Sequence, residues 1–122
     1  MRKPRILIAD DDTMVRIGLK TVINWEENGF VLVGEAANGL EAMQLVQEKK
    51  PDIVITDIKM PGMDGISLAR RIRQDDKEVL LMFITNMAQY ALHGYEVEAI
   101  DYVIKPLGYQ EFALKMKKAM RY

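Results

Sequence analysis

Cysteine is absent from this chain, which excludes disulfides, thiolate metal centres and thiol nucleophiles together. Charge imbalance is absent too: 17 Lys and Arg face 18 Asp and Glu, for a formal net charge of −1. Nothing in the overall charge therefore favours nucleic acid or an anionic membrane as a direct ligand. Long apolar runs are missing, and Asp10-Asp11-Asp12 close the first strand-length one. That excludes a signal peptide or spanning helix and makes a soluble cytoplasmic protein the expectation. Linkers, repeats and low-complexity segments are lacking as well. What is present suits one compact domain: 122 residues, of which 49% are apolar and 29% charged.

Short β-rich runs alternate with longer amphipathic ones. Ile6-Leu7-Ile8-Ala9 is a continuous apolar run, as expected of a strand buried on both faces. Val15, Leu19, Val22 and Ile23 then recur at helical spacing until Asn28-Gly29 breaks the pattern. Phe30 to Val33 reads as a second strand. A second helix is predicted from about Asn38 to Lys49, with Asn38 as N-cap and Glu41 placed as in a capping box. Pro51 ends it, and Ile53-Val54-Ile55-Thr56 forms the third strand. A turn-rich loop, Met60 to Gly65, leads into a third helix carrying Leu68 and Ile72 inward. Val79 to Ile84 is predicted as the fourth strand, Ala88 to Gly94 as a short helix and Ile100 to Ile104 as the fifth strand. A last helix from about Gln110 places Phe112, Met116 and Ala119 on one face. Alternation of this kind implies an α/β fold with a parallel sheet covered on both faces.

In such a sheet a functional site belongs at the C-terminal ends of the strands, beside the point where strand order reverses. Asp10-Asp11-Asp12 close the first strand and Asp57 closes the third. Neighbouring strands lie about 4.8 Å apart, so adjacency would bring these carboxylates together. Their mutual repulsion calls for a cation, and an all-oxygen donor set favours Mg²⁺. For Asp12 or Thr13 alone, capping of the first helix is the better account. A carboxylate can attack phosphorus to give an acyl phosphate, with a metal neutralising the transferring group. Thr85 closes the fourth strand and Lys105 the fifth, supplying the hydroxyl and the cation such a transfer needs. Each alone has a blander reading, as a strand-forming threonine and a solvated lysine. His93, the single histidine, lies away from every strand end and reads as a surface residue.

The acidic triplet, the segment DIVITDIKMPGMDG from Asp52 to Gly65, Thr85, and Asp101-Tyr102-Val103-Ile104-Lys105-Pro106 together resemble the receiver domain of two-component response regulators. The likeness spans nearly all of the chain. It implies a flavodoxin-like (βα)5 three-layer sandwich with strand order 2-1-3-4-5. It further implies phosphorylation of Asp57 by a sensor histidine kinase, with Mg²⁺ supported by Asp10, Asp11, Asp57 and the backbone carbonyl of Lys59. Thr85 and Lys105 would contact the phosphoryl group, and Tyr102 matches the family's switch aromatic. A half-buried strand tyrosine is the plainer account of Tyr102.

Through about Arg73 the chain resembles receivers that precede AraC-type DNA-binding domains, as in Val15 to Lys20 and Asn24-Trp25-Glu26-Glu27. From about Val79 it resembles receivers that precede LytTR-type domains, as in Phe83 to Ala91 and Gly94 to Val97. A recombined or engineered origin is one reading of that split. Residues 1–122 are expected to form the receiver alone, without a DNA-binding effector domain, so DNA would be reached only through an effector outside the chain. The expected output is a population shift at the fourth helix, fifth strand and fifth helix that completes a homodimer surface. Three other functions compete with this one. An aspartyl phosphatase would use Asp10 and Asp12, and a pseudo-receiver would serve only dimerisation. A flavodoxin is disfavoured because the acidic triplet would repel a flavin phosphate.

Overall fold

The computed structural model describes residues 3–85, 101–104, 108, 111–114 and 116, with residues 85 and 101–104 described as backbone. Elements alternate in the order β1 (Arg5–Ala9), α1 (Thr13–Thr21), β2 (Val31–Ala36), α2 (Gly39–Lys49), β3 (Ile53–Thr56), α3 (Gly65–Asp75), β4 (Leu80–Thr85) and β5 (Asp101–Ile104). Residues 111–114 and 116 are helical as well. The strands form one parallel five-stranded sheet of order β2-β1-β3-β4-β5, the flavodoxin-like arrangement expected from the sequence. The predicted helix from Ala88 to Gly94, His93, Lys105 and Ala119 lie outside the described residues.

Side chains alternate across the sheet and divide the core in two. Leu7, Ala9, Val54, Leu81 and Phe83 face α2 and α3, where Ala42, Leu68, Ala69 and Ile72 meet them. Ile6, Ile8, Ile53, Ile55, Met82 and Ile84 face Leu19 of α1 and Phe112, Ala113 and Met116. Burying each large aliphatic or aromatic side chain contributes about 1.5–3 kcal/mol relative to exposure. Trp25 belongs to the second layer: its indole N–H donates to the Leu19 carbonyl (2.8 Å), and its ring meets Phe30 and Phe112 edge-on.

The helices begin where side-chain acceptors meet their first N–H groups. Asp12, Asn38 and Asp64 cap α1, α2 and α3, accepting from Met14, Glu41 and Ser67 respectively. Lys50 closes α2 in the left-handed conformation (φ 48°), and Pro51 prevents its continuation.

Two expectations need correction. Val22 does not join the buried face of α1. It closes the helix with 46% exposure, while Ile23 is buried from the following turn. The second strand runs past Val33 to Ala36, pairing Ile8 with Glu35 and Ala9 with Ala36 after a register shift between Ile6 and Leu7. Pairing along β1 extends it through Gly34 and Glu35, residues with little strand propensity of their own.

Candidate metal and phosphoacceptor site

Parallel pairing carries the ladder one residue beyond the strand ends. Asp10 N–H donates to the Ala36 carbonyl (3.0 Å), and Asp57 N–H donates to the Ala9 carbonyl (2.8 Å). These bonds set Asp10 and Asp57 side by side at the C-terminal edge of β1 and β3. Both are buried, at 2% and 7% exposure, whereas Asp11 is exposed. One carboxylate oxygen from each of Asp10, Asp11 and Asp57 lies within 4.8 Å of the others.

Local bonds orient the acids. Asp10 Oδ1 accepts from the Asp12 N–H (2.9 Å), and Asp57 Oδ1 accepts from the Ile58 N–H (2.7 Å). Thr56 donates its hydroxyl to the Asp57 carbonyl (2.8 Å). Asp12 Oδ1 accepts from the Met14 N–H (2.9 Å), capping α1 as expected for that residue.

A metal suits this donor set. The oxygens are hard ligands without nitrogen or sulfur, and two Mg–O bonds of about 2.1 Å each nearly bridge their separation. An exposed Asp11 also leaves the outer side of the cluster open to water or a phosphate oxygen. Lys59 is exposed and follows Asp57 by two residues. With Asp11, Asp64 and Arg70 it lines a groove of about 560 Å³ beside the acids.

The remaining sequence-derived site residues are placed to different degrees. Thr85 ends β4 and pairs with Ile104, and Tyr102 pairs with Phe83 across β4 and β5. Lys105 lies outside the described residues. The backbone thus brings Thr85 to the same edge of the sheet as Asp10 and Asp57.

Arg16 was not among the residues that sequence reasoning selected. Its Nη1 donates to the Asp10 carbonyl (2.5 Å), its Nε to Glu35 Oε1 (3.2 Å) and its Nη2 to Thr13 Oγ1 (3.4 Å). Lys20 Nζ lies 2.6 Å from Glu35 Oε2. Lys20 beside Glu35 holds its carboxyl below the usual range, against the opposing effect of partial burial and with further help from Arg16. The only sequence signal was an arginine early in α1, with an acidic residue in β2.

The family model described as the response regulator receiver domain matches residues 6–117. The positive alginate biosynthesis regulatory protein of Pseudomonas aeruginosa is 36% identical over 116 residues, covering 95% of this chain and 47% of its own length. Sensory transduction protein LytT of Oceanobacillus iheyensis is 34% identical over 118 residues, covering 95% of this chain and 48% of its own length. This chain therefore spans about half the length of these curated relatives. Among solved structures, the REC domain of AraT, a response regulator from Geobacillus stearothermophilus, superposes with a TM-score of 0.88 at 31% identity. That match covers 97% of this chain and 95% of the other. The response regulator domain of Thermotoga maritima CheB gives a TM-score of 0.82 at 26% identity, covering 98% and 95%. With nearly its whole length matched and the expected sheet order in place, the chain belongs to the response regulator receiver domains, the signalling modules of two-component systems.

Proposed function

We propose that this receiver accepts a phosphoryl group from a sensor histidine kinase on Asp57, with Mg²⁺ held by Asp10, Asp11, Asp57 and the Lys59 carbonyl. The observation that carries this reading is the convergence of the three carboxylates within 4.8 Å at the ends of β1 and β3. An Asp57 carboxylate oxygen attacks phosphorus, forming the acyl phosphate O–P bond as the donor's N–P bond breaks and its imidazole takes a proton. Bound Mg²⁺ supplies charge neutralisation for the transferring group. The Ile58 N–H, already on Asp57 Oδ1, orients the nucleophile. Thr85 and Lys105 contact the phosphoryl oxygens, and Tyr102 follows the threonine as a switch. Slow self-hydrolysis restores the resting state, so the protein acts as a signalling switch rather than an enzyme on external substrates.

The output is a homodimer formed through the fourth helix, fifth strand and fifth helix, which controls an effector, in keeping with the regulatory proteins it resembles. We assign the domain to the cytoplasm. Among the described residues, no helix is long and apolar enough to cross a membrane.

Acetyl phosphate with Mg²⁺, followed by intact mass and size-exclusion analysis, tests this reading. Wild type is expected to gain one phosphoryl adduct and to shift toward dimer, and Asp57→Ala to gain none. An adduct persisting on the variant would move the acceptor to another residue.

A further inference from the structure

We infer that Arg16 is a positioning residue for the acidic site, oriented by Glu35, and that it sets the peptide carrying Asp10 and Asp11. The inference rests on the reading of those acids as Mg²⁺ ligands. Asp10 must present its side chain at a fixed angle, yet it stands where β1 ends and the chain turns toward α1. Its N–H is held by Ala36 (3.0 Å). Its carbonyl, which belongs to the peptide joining Asp10 to Asp11, is held by Arg16 Nη1 (2.5 Å). The same guanidinium donates to Glu35 on β2, one residue before the Ala36 that holds the other side of Asp10. One planar cation therefore ties the helix, the edge strand and the metal-site peptide to one another.

Burial and charge support a role beyond surface pairing. The Arg16 side chain is only 14% exposed, and Lys20 engages the second oxygen of Glu35. The acceptor on Asp10 is a main-chain oxygen, so the contact fixes a peptide plane without drawing either carboxylate away from a metal. Outer-shell partners of metal-ligating side chains typically change metal affinity about 10–100-fold when replaced, and a contact that fixes the ligand's own peptide is expected to act toward the lower end of that range. A lysine at position 16 keeps the charge but not the planar fork that reaches several partners at once.

The test is Mg²⁺ titration followed by backbone-amide NMR, with thermal midpoints recorded separately in EDTA. Arg16→Gln is expected to weaken Mg²⁺ binding about tenfold, with Arg16→Lys failing to restore it. Glu35→Ala should weaken binding in the same direction and add nothing when combined with Arg16→Gln. A purely structural role predicts a lower midpoint in EDTA and an unchanged Mg²⁺ affinity, and that result would overturn the inference. If Arg16→Gln does not fold, Glu35→Ala decides between the same two outcomes. Asp11→Asn separates the two levels of interpretation. If it titrates like wild type, the metal-site reading fails and this inference with it. If it loses Mg²⁺ while folded Arg16→Gln binds normally, only the positioning role fails.

Discussion

A Cβ built at Gly65 would stand 2.0 Å from the Asp57 carbonyl oxygen, closer than any real contact allows. The Gly65 N–H also donates to the Ile58 carbonyl (2.7 Å), so α3 begins directly against the main chain of Asp57 and Ile58. Gly65→Ala should therefore displace the Asp57 backbone and cost about 1–3 kcal/mol in urea unfolding, together with a slower phosphorylation by acetyl phosphate. Gly108→Ala is the control, because its nearest neighbour would lie at an ordinary 3.5 Å. An equal loss at both positions would show that the close approach at Gly65 is not the cause. Asp10, Asp11 and Asp57 were legible in the sequence because acids directly after apolar strand runs have one place to go in a parallel sheet. Arg16 was not legible, since its partner at Asp10 is a carbonyl, a group every residue carries.

Helices and strands differed in how plainly they could be read. Caps were clearest: Asn38 was identifiable ahead of α2, and the structure gives its side chain the Glu41 N–H at 2.8 Å. Strands that are short apolar runs, such as Ile53–Thr56, also stood out. The second half of β2 did not, because Gly34-Glu35 extend only through pairing with β1. Val22 and Ile23 misled for a related reason. Periodicity records which residues are apolar, whereas the turn after α1 decides which of the two is buried. The cap of α3 matters most here, because that helix starts beside the site. Asp64→Ala removes the acceptor for the Ser67 N–H (2.7 Å) and should cost about 1 kcal/mol of stability in chemical denaturation. A loss too small to measure would mean that solvent replaces the cap without penalty.

For the molecule as a whole, three clustered carboxylates repel one another, a cost that a bound cation would offset. Mg²⁺ binding only the folded state should stabilise it by about 2.7 kcal/mol at a hundredfold excess over Kd. Thermal unfolding should therefore show a higher midpoint in Mg²⁺ than in EDTA. Asp11→Asn is expected to lose that difference while unfolding in EDTA no earlier than wild type, since one negative charge has been removed. A variant markedly less stable than wild type in EDTA would mean that the acids do not burden the fold.

The sheet separates two layers, and the protein's single tryptophan sits in only one of them, against Phe30 and Phe112. Indole emission is thus a one-sided gauge. It follows how α1 and the helical segment around residue 112 seat themselves and is nearly blind to rearrangement among α2 and α3. A quiet fluorescence trace during phosphorylation would accordingly speak for half of the domain, and silence there could coexist with a large change on the opposite side.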